Sequence, residues 1–249
     1  MRNVRNVIRA SALALLLVIA TTSAASAAIT DDDLYGAPRA PLGLTVALGM
    51  RSDLVRSPGL DAFSTTDGLP QSSLSLAYHR GADDRSGLAV GFEWNHGSTM
   101  ARARDADASL TVDRFTLSLE GRIPVAARLS AFGRVAPGLL RDGARMVDPS
   151  VAGGPYGAGA GGVREQSKTV AAVDASAGLA FRFAEVRGRG TPRVGFWLTG
   201  EGGYGYAGAH DLVLASGTET QPGRVDQPLR LGELSLRGAF LRARFAVSF

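Results

Sequence analysis

The last ten residues, Phe240 to Phe249, read FLRARFAVSF and alternate in polarity. Every second residue is apolar: Leu241, Ala243, Phe245, Val247 and Phe249. Arg242, Arg244 and Ser248 lie between them. Successive side chains of a β-strand point to opposite faces, so the stretch predicts a strand with one apolar face and one face that carries two arginines. The fold therefore depends on whether the apolar face contacts a protein core or lipid.

The amino-terminal 27 residues have the features of a secretory signal peptide. Arg2, Arg5 and Arg9 precede an apolar run at residues 10–20, and Ala25-Ser26-Ala27 matches the A-x-A cleavage pattern. A transmembrane helix needs about 20 apolar residues, more than this run supplies. We expect residues 1–27 to be removed after export, residues 28–40 to form a periplasmic segment and residues 41–249 to form the folded domain.

The composition indicates an exported β protein. Without residues 1–27 and their three arginines the chain has 222 residues and a formal net charge of +1, which gives no support to nucleic-acid binding. Thirty-two glycines and a single lysine argue against a helix bundle, and no later segment holds 18 consecutive apolar residues. The chain lacks cysteine, which excludes disulfides and a lipid-modified amino-terminal cysteine.

Eight segments show the period-two alternation and predict eight antiparallel strands. They lie at residues 42–50, 73–79, 88–95, 114–123, 129–135, 173–183, 193–206 and 232–249. The last segment changes phase near Gly238, which predicts a bulge.

The two faces of these strands differ in composition. One face is large and apolar, and the other mixes small residues with isolated charges. A narrow membrane barrel has side chains filling its lumen and an apolar band outside, so we predict a barrel whose lumen is closed by paired charges. The predicted lumen charges are Glu93, Glu120, Asp174, Glu201, Arg114, Arg122, Arg134, Arg182, Arg242 and Arg244. We expect the three glutamates to pair with arginines across the barrel.

The connections between strands alternate in length. The long ones lie at residues 51–71, 96–109, 141–168 and 207–230. The short ones lie at residues 80–86, 124–126 and 184–192. This alternation is typical of membrane barrels with long outer loops and short periplasmic turns. We expect four outer loops, with both chain ends on the periplasmic side.

Aromatic residues gather near both ends of the predicted strands. Tyr78, Phe181, Phe183 and Phe249 fall at the periplasmic ends, and Trp94, Tyr204 and Tyr206 fall at the outer ends. Membrane barrels carry aromatic girdles at both interfaces, so these residues predict two girdles.

The signal peptide, the alternating strands and the terminal Phe245-Ala246-Val247-Ser248-Phe249 make residues 40–249 resemble the OmpA/OmpX/OmpW-like family of small outer-membrane β-barrels of Gram-negative bacteria. The resemblance implies an all-β, transmembrane, antiparallel up-and-down barrel in the outer membrane. It implies that Phe245, Val247 and Phe249 form the signal read by the barrel-assembly machinery. It also implies a monomer whose partners are periplasmic chaperones, outer-membrane lipid and lipopolysaccharide. We expect no peptidoglycan-binding domain, because the strand pattern runs to the last residue.

Two motifs receive a structural interpretation. Residues 157–162 have the glycine spacing of a dinucleotide-binding loop but not its βαβ context, and we interpret them as an outer loop. Asp31-Asp32-Asp33 and Asp83-Asp84 lack the spacing of a calcium-binding loop, and predict a solvated tail and a charged turn. No metal site and no cofactor is predicted.

His96 and Ser98 form the only sharper chemical hint. Residues two apart on a strand share a face, which places the imidazole to activate the hydroxyl as a nucleophile. The pair resembles the H-x-S core of outer-membrane lipid A deacylases, but Thr99 replaces the asparagine of that family. The third triad member has no clear equivalent, and the nearest carboxylates that follow the pair are Asp105 and Asp107. We interpret the pair as a polar strand end and predict no catalytic site.

The predicted function is non-enzymatic. The barrel acts in envelope integrity or surface interaction through its outer loops. The alternative is passive transport of small hydrophobic molecules, as in OmpW-like barrels, which the inward Phe132 and Trp197 favour and the charged lumen opposes. Lipid A deacylation ranks third.

Overall fold

The computed structural model describes residues 43–64, 66–83, 86–103, 106–147, 163–186, 193–216 and 228–249. Within these ranges the chain forms ten strands and one short helix. They are β1 (Leu44–Leu54), α1 (Pro58–Asp61), β2 (Gly68–Asp83), β3 (Ser86–Ala103), β4 (Ala106–Ala126), β5 (Leu129–Val147), β6 (Val163–Val186), β7 (Val194–Ala207), β8 (His210–Ser216), β9 (Leu229–Leu234) and β10 (Gly238–Ser248). No helix in these ranges has the length and apolar character to cross a membrane.

Eight of the strands close a barrel. β1 to β7 pair in chain order, each antiparallel to the next, and β10 lies between β7 and β1. The closing seam pairs Val46 with Val247 and Leu48 with Phe245. The predicted antiparallel β-barrel of eight strands is therefore confirmed.

Several strands extend into the predicted outer loops. β3 continues to Ala103 and pairs there with Ala106 at the start of β4, so the predicted loop at residues 96–109 is wrong. β5 continues to Val147, which pairs with Val163 at the start of β6, so the predicted loop at 141–168 is partly strand. The barrel wall is therefore taller at this end than the sequence pattern indicates.

The polarity of the two faces reverses along β4, which explains the missed strand length. From Phe115 to Val125 the outward residues are apolar, apart from one glycine, while the inward residues are polar or charged as far as Arg122. From Ala106 to Val112 the inward residues are apolar and buried, while Asp107 and the other outward residues are polar. A strand prediction that requires one unbroken apolar face ends at this reversal, so the predicted segment 114–123 is shorter than β4.

β8 and β9 form a hairpin within the predicted loop at residues 207–230 and the predicted last strand. β9 pairs with β8, residues 235–237 follow it, and β10 alone enters the wall. The predicted bulge near Gly238 is therefore wrong. β8 also pairs with the start of β6, where Arg164 lies opposite Ser216.

An apolar core fills the end of the barrel that carries the hairpin. Leu212 and Leu214 of β8 pack there with Leu234 of β9 and with Leu110 and Leu140 of the wall. These side chains are essentially inaccessible to solvent. The hairpin thus supplies the partner that the inward apolar residues of the wall need.

The short helix α1 closes the same end. Pro58 occupies its first turn, a position where the missing backbone N–H costs nothing. Ser57 ties the helix to the hairpin, because its hydroxyl donates to the Glu233 carbonyl at 2.9 Å and accepts from the Ser235 amide at 2.9 Å. We call α1 and the β8–β9 hairpin together the cap.

Candidate functional site

Ion pairs cross the lumen beneath the cap. Arg51 of β1 donates from Nη1 to Asp174 Oδ2 of β6 at 2.5 Å and from Nε to Asp53 Oδ1 at 2.7 Å. Arg114 also bonds to Asp174, and Gln71 Nε2 donates to Asp53 Oδ2 at 2.6 Å. All five side chains are buried, and together they join β1, β2, β4 and β6.

The sequence pattern missed Arg51 and Asp53 because the predicted first strand ends at residue 50. A signal was present, since both residues continue the odd-numbered, inward positions of β1. Gly205 leaves room for this cluster: a Cβ there would lie 2.8 Å from Asp174 Oδ1 and 2.9 Å from Arg51 Nη2. A larger residue at position 205 would displace the ion pair.

Two arginines hold the three lumen glutamates in the middle of the barrel. Arg134 donates to Glu93 Oε2 at 2.8 Å and to Glu201 Oε2 at 2.9 Å, and lies 3.3 Å from Glu120. Arg242 contacts the other carboxylate oxygens of Glu93 and Glu201. This cluster joins β3, β4, β5, β7 and β10 across the lumen.

The lumen end opposite the cap is filled by Trp197 and arginines. Trp197 Nε1 donates to Ser248 Oγ at 3.0 Å. The guanidiniums of Arg122 and Arg182 lie 5.3 and 5.6 Å from the Trp197 ring centroid. Arg122 also donates to Glu120 at 2.7 Å.

The remaining inward residues complete this packing. Phe132 lies in an apolar cluster with Ala180 and Ala246. Arg244 lies 3.7 Å from Glu93 and 3.6 Å from Glu201. All ten charges that the sequence places in the lumen lie on the inward side of the wall, and each is within ion-pair distance of a partner.

The outer wall carries a continuous apolar belt. Its exposed members include Leu44, Val46, Leu48, Leu74, Leu76, Leu88, Val90, Phe92, Phe115, Leu117, Leu119, Ile123, Val125, Val135, Leu139, Leu179, Leu198 and Leu241. On β4 the belt runs from Phe115 to Val125. Ten residue steps along a strand tilted by about 40° correspond to a height of about 25 Å.

Aromatic residues occupy both margins of the belt. Tyr78, Phe181 and Phe183 lie toward the margin opposite the cap, and Trp94, Tyr204 and Tyr206 lie toward the margin near the cap. Phe183 packs against Phe196 and Phe245, with ring centroids 6.2 and 5.8 Å apart.

The terminal strand lies at the closing seam of the barrel. Phe245 and Val247 belong to its outward face, opposite Leu48 and Val46. The Phe249 amide donates to the Leu44 carbonyl at 2.8 Å. The last residue is therefore attached to the first strand of the wall.

A polar cluster lies on the outer wall just beyond the cap-side margin of the belt. His96 of β3 and Asp113 of β4 are cross-strand partners, with His96 Nδ1 2.8 Å from Asp113 Oδ1. Trp94 Nε1 donates to the same oxygen at 3.0 Å. Ser98 follows two residues after His96 and is exposed on the same face.

The carboxylate beside His96 is thus Asp113. The sequence interpretation, in which Asp105 and Asp107 were the nearest carboxylates, is wrong because Asp113 lies directly across the strand pair. Asp107 pairs instead with Arg102 farther along β3, and Asp105 lies outside the described residues.

A buried histidine and carboxylate join the cap to the wall. His210 Nε2 of β8 lies 3.3 Å from Asp142 Oδ1 of β5. Burial raises the pKa of Asp142 above the ordinary value of 3.8, although the nearby His210 and Lys168 oppose the increase. Asp142 lies beyond Leu139, the last belt residue of β5, and therefore outside the belt.

No cluster of three or more histidine and acidic side chains suited to a metal ion occurs in the described part of the chain. The glycine motif at residues 157–162, the aspartates at 31–33, Asp84 and the predicted signal peptide at 1–27 lie outside the described residues.

No protein-family model and no curated protein matches the chain. The chain is similar to solved structures of Ail, the attachment invasion locus protein of Yersinia pestis. The structure of Ail in complex with the heparin analogue sucrose octasulfate matches at 10% identity and a TM-score of 0.42. The match covers 82% of this chain and 95% of Ail. A second Ail structure matches at 11% identity and 0.40 over 83% and 97%.

Neisserial surface protein A is similar at 14% identity and a TM-score of 0.45, over 83% of this chain and 97% of that one. The ring of strand pairings by itself confirms the predicted fold, an antiparallel β-barrel of eight strands.

Proposed function

We propose that this chain is an integral protein of the Gram-negative outer membrane, in which the eight-strand wall spans the bilayer. The observation that carries the proposal is the reversal of polarity along the wall. Over about 25 Å the wall is apolar outside and ionic inside, which matches the height of the lipid-facing band in membrane barrels. Beyond the belt, β4 is polar outside and apolar inside, as burial of apolar surface in water favours. The cap end therefore stands in water.

The proposed lumen is a closed plug. Eight strands enclose an interior that side chains alone can fill. Buried charges are costly unless they are paired, and Arg134 and Arg242 pair with glutamates from several strands. The apolar core under the cap also blocks the lumen, at the end of the barrel beyond these ion pairs.

The predicted signal peptide and the aromatic terminal strand support a proposed route of export and assembly. Residues 1–27 would direct the chain across the inner membrane, residues 28–40 would remain periplasmic, and residues 41–249 would form the barrel. Phe245, Val247 and Phe249 would be read by the barrel-assembly machinery. The seam position of these residues supports that role, because a terminal strand recognised during insertion can then close the barrel against β1.

The role we propose is envelope integrity or contact with a surface partner through the outer end. Beyond the belt, β4 and β5 rise by about 20 Å and carry polar outward residues such as Asp107, Arg141 and Arg145. We call these ends of β4 and β5 beyond the belt the collar. In this placement the collar lies at the level of lipopolysaccharide headgroups. Charged groups of both signs there suit contact with polar surfaces.

Transport of hydrophobic molecules is not favoured by any observation. Phe132 and Trp197 do point inward, but both are buried in a packed cluster and line no open passage in the described part of the chain.

Membrane fractionation tests the proposal. We expect the protein in the outer-membrane fraction after alkaline extraction, with an unheated form that migrates faster on a gel than the heated form. Recovery in the aqueous fraction would contradict membrane placement. In planar bilayers we expect no steady conductance, and a nanosiemens-scale pore would contradict the closed lumen.

A further inference from the structure

We propose that a groove on the outer wall of the barrel binds one acyl chain of a membrane lipid in a fixed position. The proposal rests on the membrane placement above and adds a lipid site to it. The groove has a volume of about 560 Å³ and extends from β6 across β7, β10 and β1 to Pro70 of β2. Most of its lining residues hold outward positions, among them Gly200, Gly202 and Ala243.

Small outward residues form this groove. Gly200 lies opposite Ala243 of β10, and Gly202 follows on the same face of β7. Elsewhere in the belt, β3 and β4 place the exposed side chains of Phe92 and Leu117 opposite each other. The belt is therefore recessed on one side of the barrel and projects on the other.

The fold itself does not require glycine at these outward positions. A Cβ at Gly200 would have no atom of the described residues within 4 Å beyond its chain neighbours, and one at Gly202 would make only ordinary contacts, the nearest at 3.5 Å. Neither residue has a positive φ. By contrast, Gly203 and Gly205 point inward, where a Cβ would collide with atoms of β6. Glycine weakens a strand and allows close approach, so the outward glycines suit a ligand that reaches the wall from outside.

The groove lies in the half of the belt nearer the cap. Gly200 is four residues from Phe196, which packs at the margin opposite the cap, and four from Tyr204 at the margin near the cap. It therefore marks the middle of the belt on β7, and Gly202 lies two residues closer to the cap. In the proposed placement the groove opens to the hydrocarbon of the outer leaflet.

The size of the groove matches an acyl chain. Outward residues two apart on a strand are separated by about 7 Å, so the groove is too narrow for a helix, which is about 10 to 12 Å wide with its side chains. The wall of a second barrel would pass over the groove without filling it. Since a cavity of about 150 Å³ holds one benzene molecule, about 560 Å³ leaves room for on the order of 10 to 20 carbon atoms.

The groove presents no free charge to a lipid headgroup. Arg51, Glu201 and Arg242 contribute to its lining, but their side chains are buried in the lumen. Arg51 bonds there to Asp174, and Arg242 contacts Glu201. The side chains that remain on the outer face are apolar or small, so the lipid is held by its hydrocarbon chain and not by its headgroup.

Photolabelling tests the site with the full chain folded in phosphatidylcholine vesicles. The probe is a phosphatidylcholine with a diazirine midway along one acyl chain, and mass spectrometry of proteolytic peptides locates the label after irradiation. We expect label to concentrate several-fold on β7 and β10 around Gly200, relative to β4 around Leu117. Native mass spectrometry should also find one phosphatidylcholine that stays bound through a detergent wash.

Filling the groove should abolish both signals. Gly200→Leu adds a side chain where the wall leaves open space, so we expect the enrichment of label and the retained lipid to be lost. Gly121→Leu is the matched control, because Gly121 faces outward on β4 and a Cβ there would lie 3.9 Å from its nearest contact, Leu88. It should keep both signals. If Gly200→Leu does not fold, Ala243→Leu fills the groove from the neighbouring strand.

Three results would overturn the proposal. They are even labelling of all belt strands, enrichment that survives a folded groove-filling variant, and a lipid-free dimer cross-linked through β7 and β10. Even labelling defeats only the groove, whereas a folded protein with no labelled belt peptide on any strand defeats the membrane placement.

Discussion

The guanidinium of Arg134 shows how single residues close the lumen. It reaches Glu93, Glu201 and Glu120, which belong to three different strands. A planar fork with five donors can serve several carboxylates at once, which an ammonium cannot do with the same geometry. This explains why charges inside the described wall are balanced by arginine, while Lys168, the only lysine of the chain, lies near the cap.

Removing Arg134 should therefore destabilise the barrel more than removing an outer arginine. Arg134→Met leaves buried glutamates with fewer partners, and we expect the free energy of unfolding to fall by about 3 to 5 kcal/mol. Arg145→Met, an exposed collar position, should change it by about 0.5 kcal/mol or less. Urea titration in lipid vesicles, followed by unheated gel migration, measures both. Equal effects would argue against a lumen held by ion pairs.

At the scale of elements, the sequence predicts the ring strands and misses the cap. Long segments such as 114–123 keep one apolar face over the belt, so alternation alone identifies them. Leu212 and Leu214 also alternate, but β8 is only seven residues long, and its apolar face packs on inward residues of the wall. That contact depends on the polarity reversal, and on β4 the reversed part lies at residues 106–112, outside the predicted segment 114–123.

The polar cluster of His96, Ser98 and Asp113 on the outer wall was also only partly predictable from the sequence. The sequence identifies His96 and Ser98, because they lie two apart on one strand. Asp113 belongs to the next strand, 17 positions away from His96, and only the β3–β4 register brings it opposite. The lumen residues Arg51 and Asp53 were missed because the predicted first strand stopped too early.

The Asp142 carboxyl makes the attachment of the cap depend on pH. Burial raises its folded-state pKa above 3.8, so the folded cap favours the protonated form. This contribution to stability is present below the ordinary pKa and is lost as the pH rises through the raised one. We expect amide-exchange protection of β8, relative to Asp142→Asn, to fall from about pH 4 toward neutrality. His210 is common to both proteins, so identical profiles would show that Asp142 does not control the cap.

At the scale of the whole molecule, one rule accounts for both halves of the wall. In the proposed membrane placement, the apolar face of β4 meets the less polar medium in each half: hydrocarbon at the belt, and the cap core beyond it. The belt height of about 25 Å and the aromatic margins agree with a bilayer. A soluble protein would instead expose a ring of Leu, Val and Phe side chains to water, which favours aggregation.

An arginine introduced on the outward face distinguishes a belt in contact with acyl chains from a belt in contact with water. Leu119 is 55% exposed near the middle of the belt, and Met100 is 70% exposed on β3 beyond it. If the belt contacts acyl chains, Leu119→Arg should cost about 2 to 4 kcal/mol near the bilayer midplane. Met100→Arg, the same kind of change in water, should cost about 0.5 kcal/mol or less. Urea unfolding of both variants in vesicles measures the difference, and equal tolerance of the two arginines would place the belt in water and remove the basis for a membrane-spanning wall.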